Sequence, residues 1–212
     1  GLPALQALLE KLGRLPLPPY IQRVPEPEDL ERYQTIYASP EKAGSVAAPT
    51  AGLHFTPEVR DALALRGMEW AEVTLYVGYG TFSPVRCADI REHRMHQEWI
   101  EVSPAAAAAV AKAKAEGRPV CAVGTTAVRT LEGTFAQLGE IAPFSGTTDI
   151  FIRPGFTFQV VDHMLTNFHL PLSSLIIMVS AFAGRARVRA AYARAIQERF
   201  RFFSYGDAML IL

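Results

Sequence analysis

Apolar positions along this chain switch between a helical spacing and a strand spacing. Residues 1–13 place Leu5, Leu8, Leu9 and Leu12 on one face of a short amphipathic helix. Residues 15–20 then carry Pro16, Pro18 and Pro19, which fix φ and lack a ladder N–H, so an extended connector is predicted. Helical period returns over 28–37. Thr56, Pro57 and Glu58 supply an N-cap, a first-turn proline and a first-turn acid, and Gly67 closes that helix. Ala71, Val73, Leu75 and Val77 alternate with Glu72, Thr74 and Tyr76, the mark of a half-buried strand. Ser103 and Pro104 open an alanine-rich helix that Gly117 ends. Residues 119–123 predict a short buried strand that runs through Gly124, Thr125 and Thr126 into another helix. Strands are expected at 147–152 and 158–161, either type at 173–183, and a basic amphipathic helix at 187–199.

Strand–helix alternation of this kind implies an α/β fold. The proline run sets a boundary near residue 20, dividing a tail at 1–20 from a main domain at 21–212.

Composition narrows the class. Half of the residues are hydrophobic and 20% are charged, a balance that excludes a disordered chain. Lys+Arg and Asp+Glu both number 21, so no global field attracts nucleic acid and any RNA needs a local patch. Arg185, Arg187, Arg189, Arg194, Arg199 and Arg201 are the candidates for phosphate contact, with a solvated helix face as the plainer reading. Cys87 and Cys121 cannot build a disulfide framework; in apolar stretches they read as buried thiols of a reducing, cytoplasmic setting. The apolar stretch at 170–183 is too short, and too broken by Pro171 and serines, to span a bilayer.

Several clusters could carry chemistry. Thr50, Gly52 and His54 precede the capped helix. Small residues there admit a ligand to the backbone, and the positive helix end favours a neutral His54 suited to a general base. A core histidine is the plainer alternative. His93, His96 and Glu98 match no fixed metal motif, so no metal is expected. His96 and Glu98 share one face if extended and fit an acid–base pair or a clamp on ribose hydroxyls. Gly124, Thr125 and Thr126, with Arg129 one turn on, form a helix start able to hold a phosphate or carboxylate. Gly78 and Gly80 belong to an aromatic loop, as readily a plain turn as a ligand loop. Asn167 and His169 are either a core network or a ligand surface. Tyr205 and Asp207 end a basic, aromatic segment able to stack a nucleobase or simply to pack. Chemistry alone supports an α/β enzyme with a small anionic ligand.

Taken together, the ordered blocks say more. LPLPPYI from Leu15, GSVAAPTAGLHFT from Gly44, MHQE from Met95, VGTT from Val123, VRTLE from Val128, TNFHLP from Thr166, SAFAG from Ser180 and FFSYGDAMLI from Phe202 cover nearly the entire chain. In this order they resemble the S-adenosylmethionine:tRNA ribosyltransferase-isomerases of queuosine biosynthesis. The resemblance implies a mixed-sheet α/β catalytic domain, with an inserted small β-barrel expected in the complete protein and mostly absent from these residues. It implies transfer and isomerisation of the ribosyl part of S-adenosylmethionine onto 7-aminomethyl-7-deazaguanine at the tRNA wobble position. Epoxyqueuosine forms, and adenine and methionine leave. S-adenosylmethionine is then a consumed substrate and no cofactor is implied; tRNA is the macromolecular partner of a cytoplasmic monomer. On that scheme His54, His96, Glu98 and Asp207 are the candidate catalytic groups. Thr50, Gly52, Gly78, Gly80, Gly124, Thr125, Thr126, Arg129, Asn167, His169 and Tyr205 are the candidate substrate contacts. Tyr76 departs from the family, which commonly has histidine there. A non-catalytic tRNA-binding relative is the alternative, and a metal-dependent hydrolase using His93, His96 and Glu98 a more distant one.

Overall fold

Side-chain caps set most of the helix starts. The computed structural model describes residues 15, 17–18, 20–78, 85–87 and 89–212. The helix expected at 1–13, two prolines of the connector and Gly80 lie outside the described residues. The first helix is a single turn, α1 (Asp29–Arg32). The helix expected over 28–37 goes no further, because Tyr33, Thr35 and Tyr37 turn inward while Gln34 and Ile36 stay exposed. Alternate burial belongs to extended backbone, not to a helix. Thr56 accepts the Val59 N–H at 3.3 Å and opens α2 (Pro57–Leu65). Ser103 does the same for α3 (Pro104–Ala115), accepting from Ala106 at 3.2 Å. At α4 (Thr125–Leu138) no side chain caps the start. Gly124, at φ +91°, turns the chain from strand into helix through an angle that L side chains resist. Ser173 caps α5 (Ser174–Ala183), which settles 173–183 as helix, and α6 (Arg185–Gln197) follows directly.

The strands form two three-stranded sheets. In the first, β1 (Val73–Tyr76), β2 (Glu98–Val102) and β4 (Phe144–Thr148) run antiparallel in the order β1-β2-β4, with Leu75 opposite Ile100 and Ile100 opposite Gly146. In the second, β3 (Cys121–Val123) lies parallel to β5 (His163–Asn167), and β6 (Ala208–Ile211) is antiparallel to β5. The architecture is therefore α/β with one antiparallel and one mixed sheet. Helix α4 packs against strands of both. Its Val128 and Leu131 meet Ala122, Met164, Val161 and Val179 in the main core. Tyr20 packs with this domain: its hydroxyl pairs with Ser204 and its ring lies 4.9 Å from that of Phe203.

Three sequence expectations change here. The strand expected at 147–152 is displaced to 144–148. Cys121 is exposed rather than buried, because strand alternation sends Ala122 inward instead, and Cys87 is half-buried. The stretch 158–161 makes no strand. The N–H groups of Gln159, Val160 and Val161 instead donate to one carboxylate, Glu132 of α4, at 3.0, 3.0 and 2.9 Å. Backbone donors spent on a side chain have none left for a ladder.

Glu132 is 1% exposed, so those bonds offset the cost of burying its charge. Replacing it by glutamine sets an NH2 group against backbone donors. Glu132→Gln is expected to lose about 2–4 kcal/mol, read as a lower urea midpoint. An unchanged midpoint would show that packing alone holds this loop.

Candidate functional site

In α/β sheets ligands gather at the carboxyl ends of the parallel strands. Here β3 and β5 end side by side, and the Gly124 N–H donates to the Leu165 carbonyl at 2.8 Å. The pairing of Asn167 with Ala208 brings residues 204–207 to the same edge. A 3-10 turn at Thr50–His54 comes against β5 there. These pieces enclose a recess with two unlike sides. Thr50, Gly124, Thr125, Thr126, Asn167 and His169 line the polar side; Tyr20, Tyr33, Phe168 and Phe203 line the aromatic one. The free N–H groups at the start of α4 make the polar side a place for an anion.

Asn167 organises the polar side. It is 2% exposed. Its Oδ1 accepts from the Thr50 hydroxyl at 3.0 Å, and its Nδ2 lies 3.4 Å from His54 Nε2. An amide that donates to Nε2 requires a lone pair there, hence a proton on Nδ1; the tautomer follows from the hydrogen-bond network. His54 itself is exposed, at the rim rather than in a core. His169 lies deeper. Its Nε2 is 2.7 Å from the Thr166 hydroxyl, and its backbone N–H donates to the Tyr192 hydroxyl at 2.7 Å. Part of its surface faces the recess, yet desolvation pushes the imidazole down to about 4, so it is neutral at physiological pH.

Other predicted residues are placed differently. Glu98 is 4% exposed and forms a buried ion pair with Arg129, itself 2% exposed. Burial pushes the guanidinium down to about 10, with Asp149 acting the other way, so it keeps its charge. Arg129 thus lies behind the recess wall, not on it. His96 is exposed while Glu98 is buried, because β2 begins at Glu98 and His96 precedes it; the two do not share a face. Gly78 donates its N–H to Glu98 Oε1 at 3.4 Å. Gly52 is small for packing rather than for a ligand: a Cβ there would meet the Tyr37 hydroxyl at 1.9 Å. Asp207 accepts from the Arg201 guanidinium at 2.9 Å and the Arg201 N–H at 2.7 Å. Those two bonds, with a further contribution from His54, hold it below the usual carboxylate range. Tyr205 donates to Asp29 at 2.9 Å, and its ring meets Tyr33 edge-on at 5.7 Å. The ring of His93 packs on Phe151 at 5.0 Å. Among the described residues no group of three His, Cys, Asp or Glu side chains is placed to hold a metal ion. Sequence reasoning missed Tyr20, Tyr33 and Thr166; the alternation from Tyr33 to Tyr37 was the one available signal for an inward Tyr33.

Residues 2–211 match the model of the queuosine biosynthesis protein family. The chain belongs to that family. Its members include the S-adenosylmethionine:tRNA ribosyltransferase-isomerase of Nitratidesulfovibrio vulgaris, 62% identical over 207 residues, which are 98% of this chain and 56% of that protein. The enzyme of the same name from Oleidesulfovibrio alaskensis is 60% identical over 98% of this chain and 55% of its own length. The crystal structure of the S-adenosylmethionine tRNA ribosyltransferase from Thermotoga maritima is similar at a TM-score of 0.64 and 46% identity, covering 76% of this chain and 51% of that one. The queuosine-family chain described here thus spans a little over half the length of these curated relatives.

The neutral His169 makes stability pH-dependent with a definite sign. Its folded pKa lies below the ordinary 6.5, so between 6.5 and about 4 the unfolded chain binds the extra proton. The contribution, at most about 3 kcal/mol, is complete above pH 6.5 and is lost as the pH falls toward 4. Urea midpoints across that window should fall less steeply for His169→Gln than for the wild type. Parallel curves would show that His169 is not the group responsible.

Proposed function

We propose that this chain carries the catalytic α/β part of an S-adenosylmethionine:tRNA ribosyltransferase-isomerase. The reaction transfers the ribosyl part of S-adenosylmethionine to 7-aminomethyl-7-deazaguanine at the wobble position of tRNA and isomerises it to give epoxyqueuosine. Adenine and methionine are released. One observation carries the reading: a single recess joins an anion-binding helix start to an aromatic side. S-adenosylmethionine has a carboxylate at one end and a purine at the other. Close relatives named for this activity support it.

The residues divide the work accordingly. The N–H groups of Thr125 and Thr126 receive the methionine carboxylate at the positive end of α4. His54, steadied by Asn167, presents an imidazole to the recess edge and serves as the general base. It removes a proton from the 5′ carbon, which the adjoining sulfonium acidifies. Electrons from that carbon open the ribose ring, and adenine departs with its bonding pair. The substrate amine then forms the new carbon–nitrogen bond, and closure of the epoxide expels methionine as a neutral thioether. His169, held neutral, adds no positive charge near a cationic substrate. Asp207, held ionised and electrostatically coupled to His54, favours that cation. The sulfonium is both the acidifying group and the leaving group, so the scheme calls for no cofactor. A cytoplasmic, monomeric enzyme belongs to the same proposal. Among the described residues no helix is long and apolar enough to cross a membrane.

Tyr76 favours the active reading over a non-catalytic relative. Its ring lies against Gly44, and Val77, not Tyr76, lines the recess. A side chain at that place can change without entering the site.

Chromatographic detection of adenine from S-adenosylmethionine tests the proposal, using the complete protein with and without tRNA bearing the aminomethyl-deazaguanine. Release that depends on the modified tRNA is expected. Binding of that tRNA with no adenine released would favour the non-catalytic alternative. His54→Ala should lower turnover by about 10²–10⁴-fold with the fold intact; an unchanged rate would remove His54 as the base.

A further inference from the structure

One polar group in the recess is left without a partner. Tyr33 lines the aromatic side and is 2% exposed, yet its hydroxyl has no hydrogen-bond partner. Desolvation pushes the phenol up to about 12. Ser204 is near enough to moderate that rise, but its hydroxyl is engaged with Tyr20 and makes no bond to Tyr33 within hydrogen-bond geometry. A buried hydroxyl left unpaired costs stability, and a native fold retains one where a ligand completes it.

The ring cannot turn the hydroxyl elsewhere cheaply. Tyr205 meets it edge-on, Tyr205 is tied through its own hydroxyl to Asp29, and Asp29 is gripped by both terminal nitrogens of Arg23 at 2.5 and 2.7 Å. Beside it, the rings of Tyr20 and Phe203 lie 4.9 Å apart at 49°, half-buried and facing the same recess. An orphan donor beside two partly open aromatic faces fits a flat heterocycle with nitrogen acceptors on its edge.

We infer that the aromatic end of the recess is a nucleobase subsite, in which the Tyr33 hydroxyl bonds the edge of a purine-type ring and Tyr20 and Phe203 supply the stacking surface. The inference rests on the function proposed above, which offers two sources of such a ring. One is the adenine of S-adenosylmethionine; the other is the deazaguanine of the tRNA. Both are fused nitrogen heterocycles.

The test is calorimetric titration of the complete protein with S-adenosylhomocysteine, which lacks the reactive sulfonium, and separately with the modified tRNA. Tyr33→Phe should weaken one of the two by about 3- to 10-fold, the loss of one hydrogen bond. The ligand affected names the source. The unliganded variant should melt at or above the wild-type Tm, since an orphan hydroxyl has been removed. Tyr20→Leu, which takes away a ring face, should weaken the same ligand by about 5-fold or more. Unchanged affinities for both ligands in Tyr33→Phe would overturn the inference. So would a lower Tm of the unliganded variant, because the hydroxyl would then have a partner within the fold. A wild-type protein that binds neither ligand would instead remove the proposed function.

Discussion

The site depends on the parallel pairing of β3 with β5. That register sets Val123 opposite Leu165, and the next N–H, that of Gly124, is fixed to the Leu165 carbonyl. The first turn of α4 and the polar run from Thr166 to His169 are thereby forced to the same edge of the sheet. Parallel strands end together, so their outgoing loops meet in space although roughly forty residues separate them along the chain. The antiparallel β6 then enters where β5 leaves, which brings Ser204 and Asp207 to the recess without any further device. A one-residue slip of β3 against β5 would turn Asn167 away from Thr50 and empty the polar side.

Helix α4 bears the electrostatic load of this arrangement. It carries two buried charges on successive turns, Arg129 and Glu132, and each is answered from a different part of the fold. Arg129 meets Glu98 at the start of β2; Glu132 receives three N–H groups from the loop ahead of β5. Isolated buried charges are too costly to keep, so these pairings fix α4 between the two sheets more specifically than apolar contact does. The rigid placement matters at its other end. The N–H groups of Thr125 and Thr126 are useful to a ligand only if the helix axis does not move.

The caps at Thr56, Ser103 and Ser173 were legible because each rests on local chemistry within three residues. So was the turn at Gly124. The strands β2, β5 and β6 were not, since their side chains alternate weakly and their pairing partners lie far away in the chain. His163 to Asn167 looked like a polar cluster, and it is one, but it is also the central strand of its sheet. Residues 158–161 had the apolar content of a strand; a carboxylate on a distant helix claimed their donors. Gly52 and Arg129 show the same limit from the functional side. A glycine near a histidine and an arginine near a helix start both read as ligand groups. Only the positions of Tyr37 and Glu98 reveal that one fills a packing gap and the other pairs a buried charge. The ordered blocks identified the family all the same, because identity over long stretches needs no knowledge of which residue does what.

What remains on the recess wall after those structural roles are assigned is a small and consistent set. Charged side chains are turned away from it or paired. Neutral donors and acceptors face it: Thr50, Asn167, His169, and the N–H groups beyond Gly124. A wall of neutral dipoles can accept a zwitterion whose charge is about to change, because it has no fixed countercharge to lose when the sulfonium becomes a thioether. Preorganised dipoles stabilise both states without reorganising. The one imidazole near the surface, His54, is tethered by an amide through a 3.4 Å contact and stays exposed. A base so placed is loosely held, at the mouth, where a large second substrate would have to arrive to close it over the first.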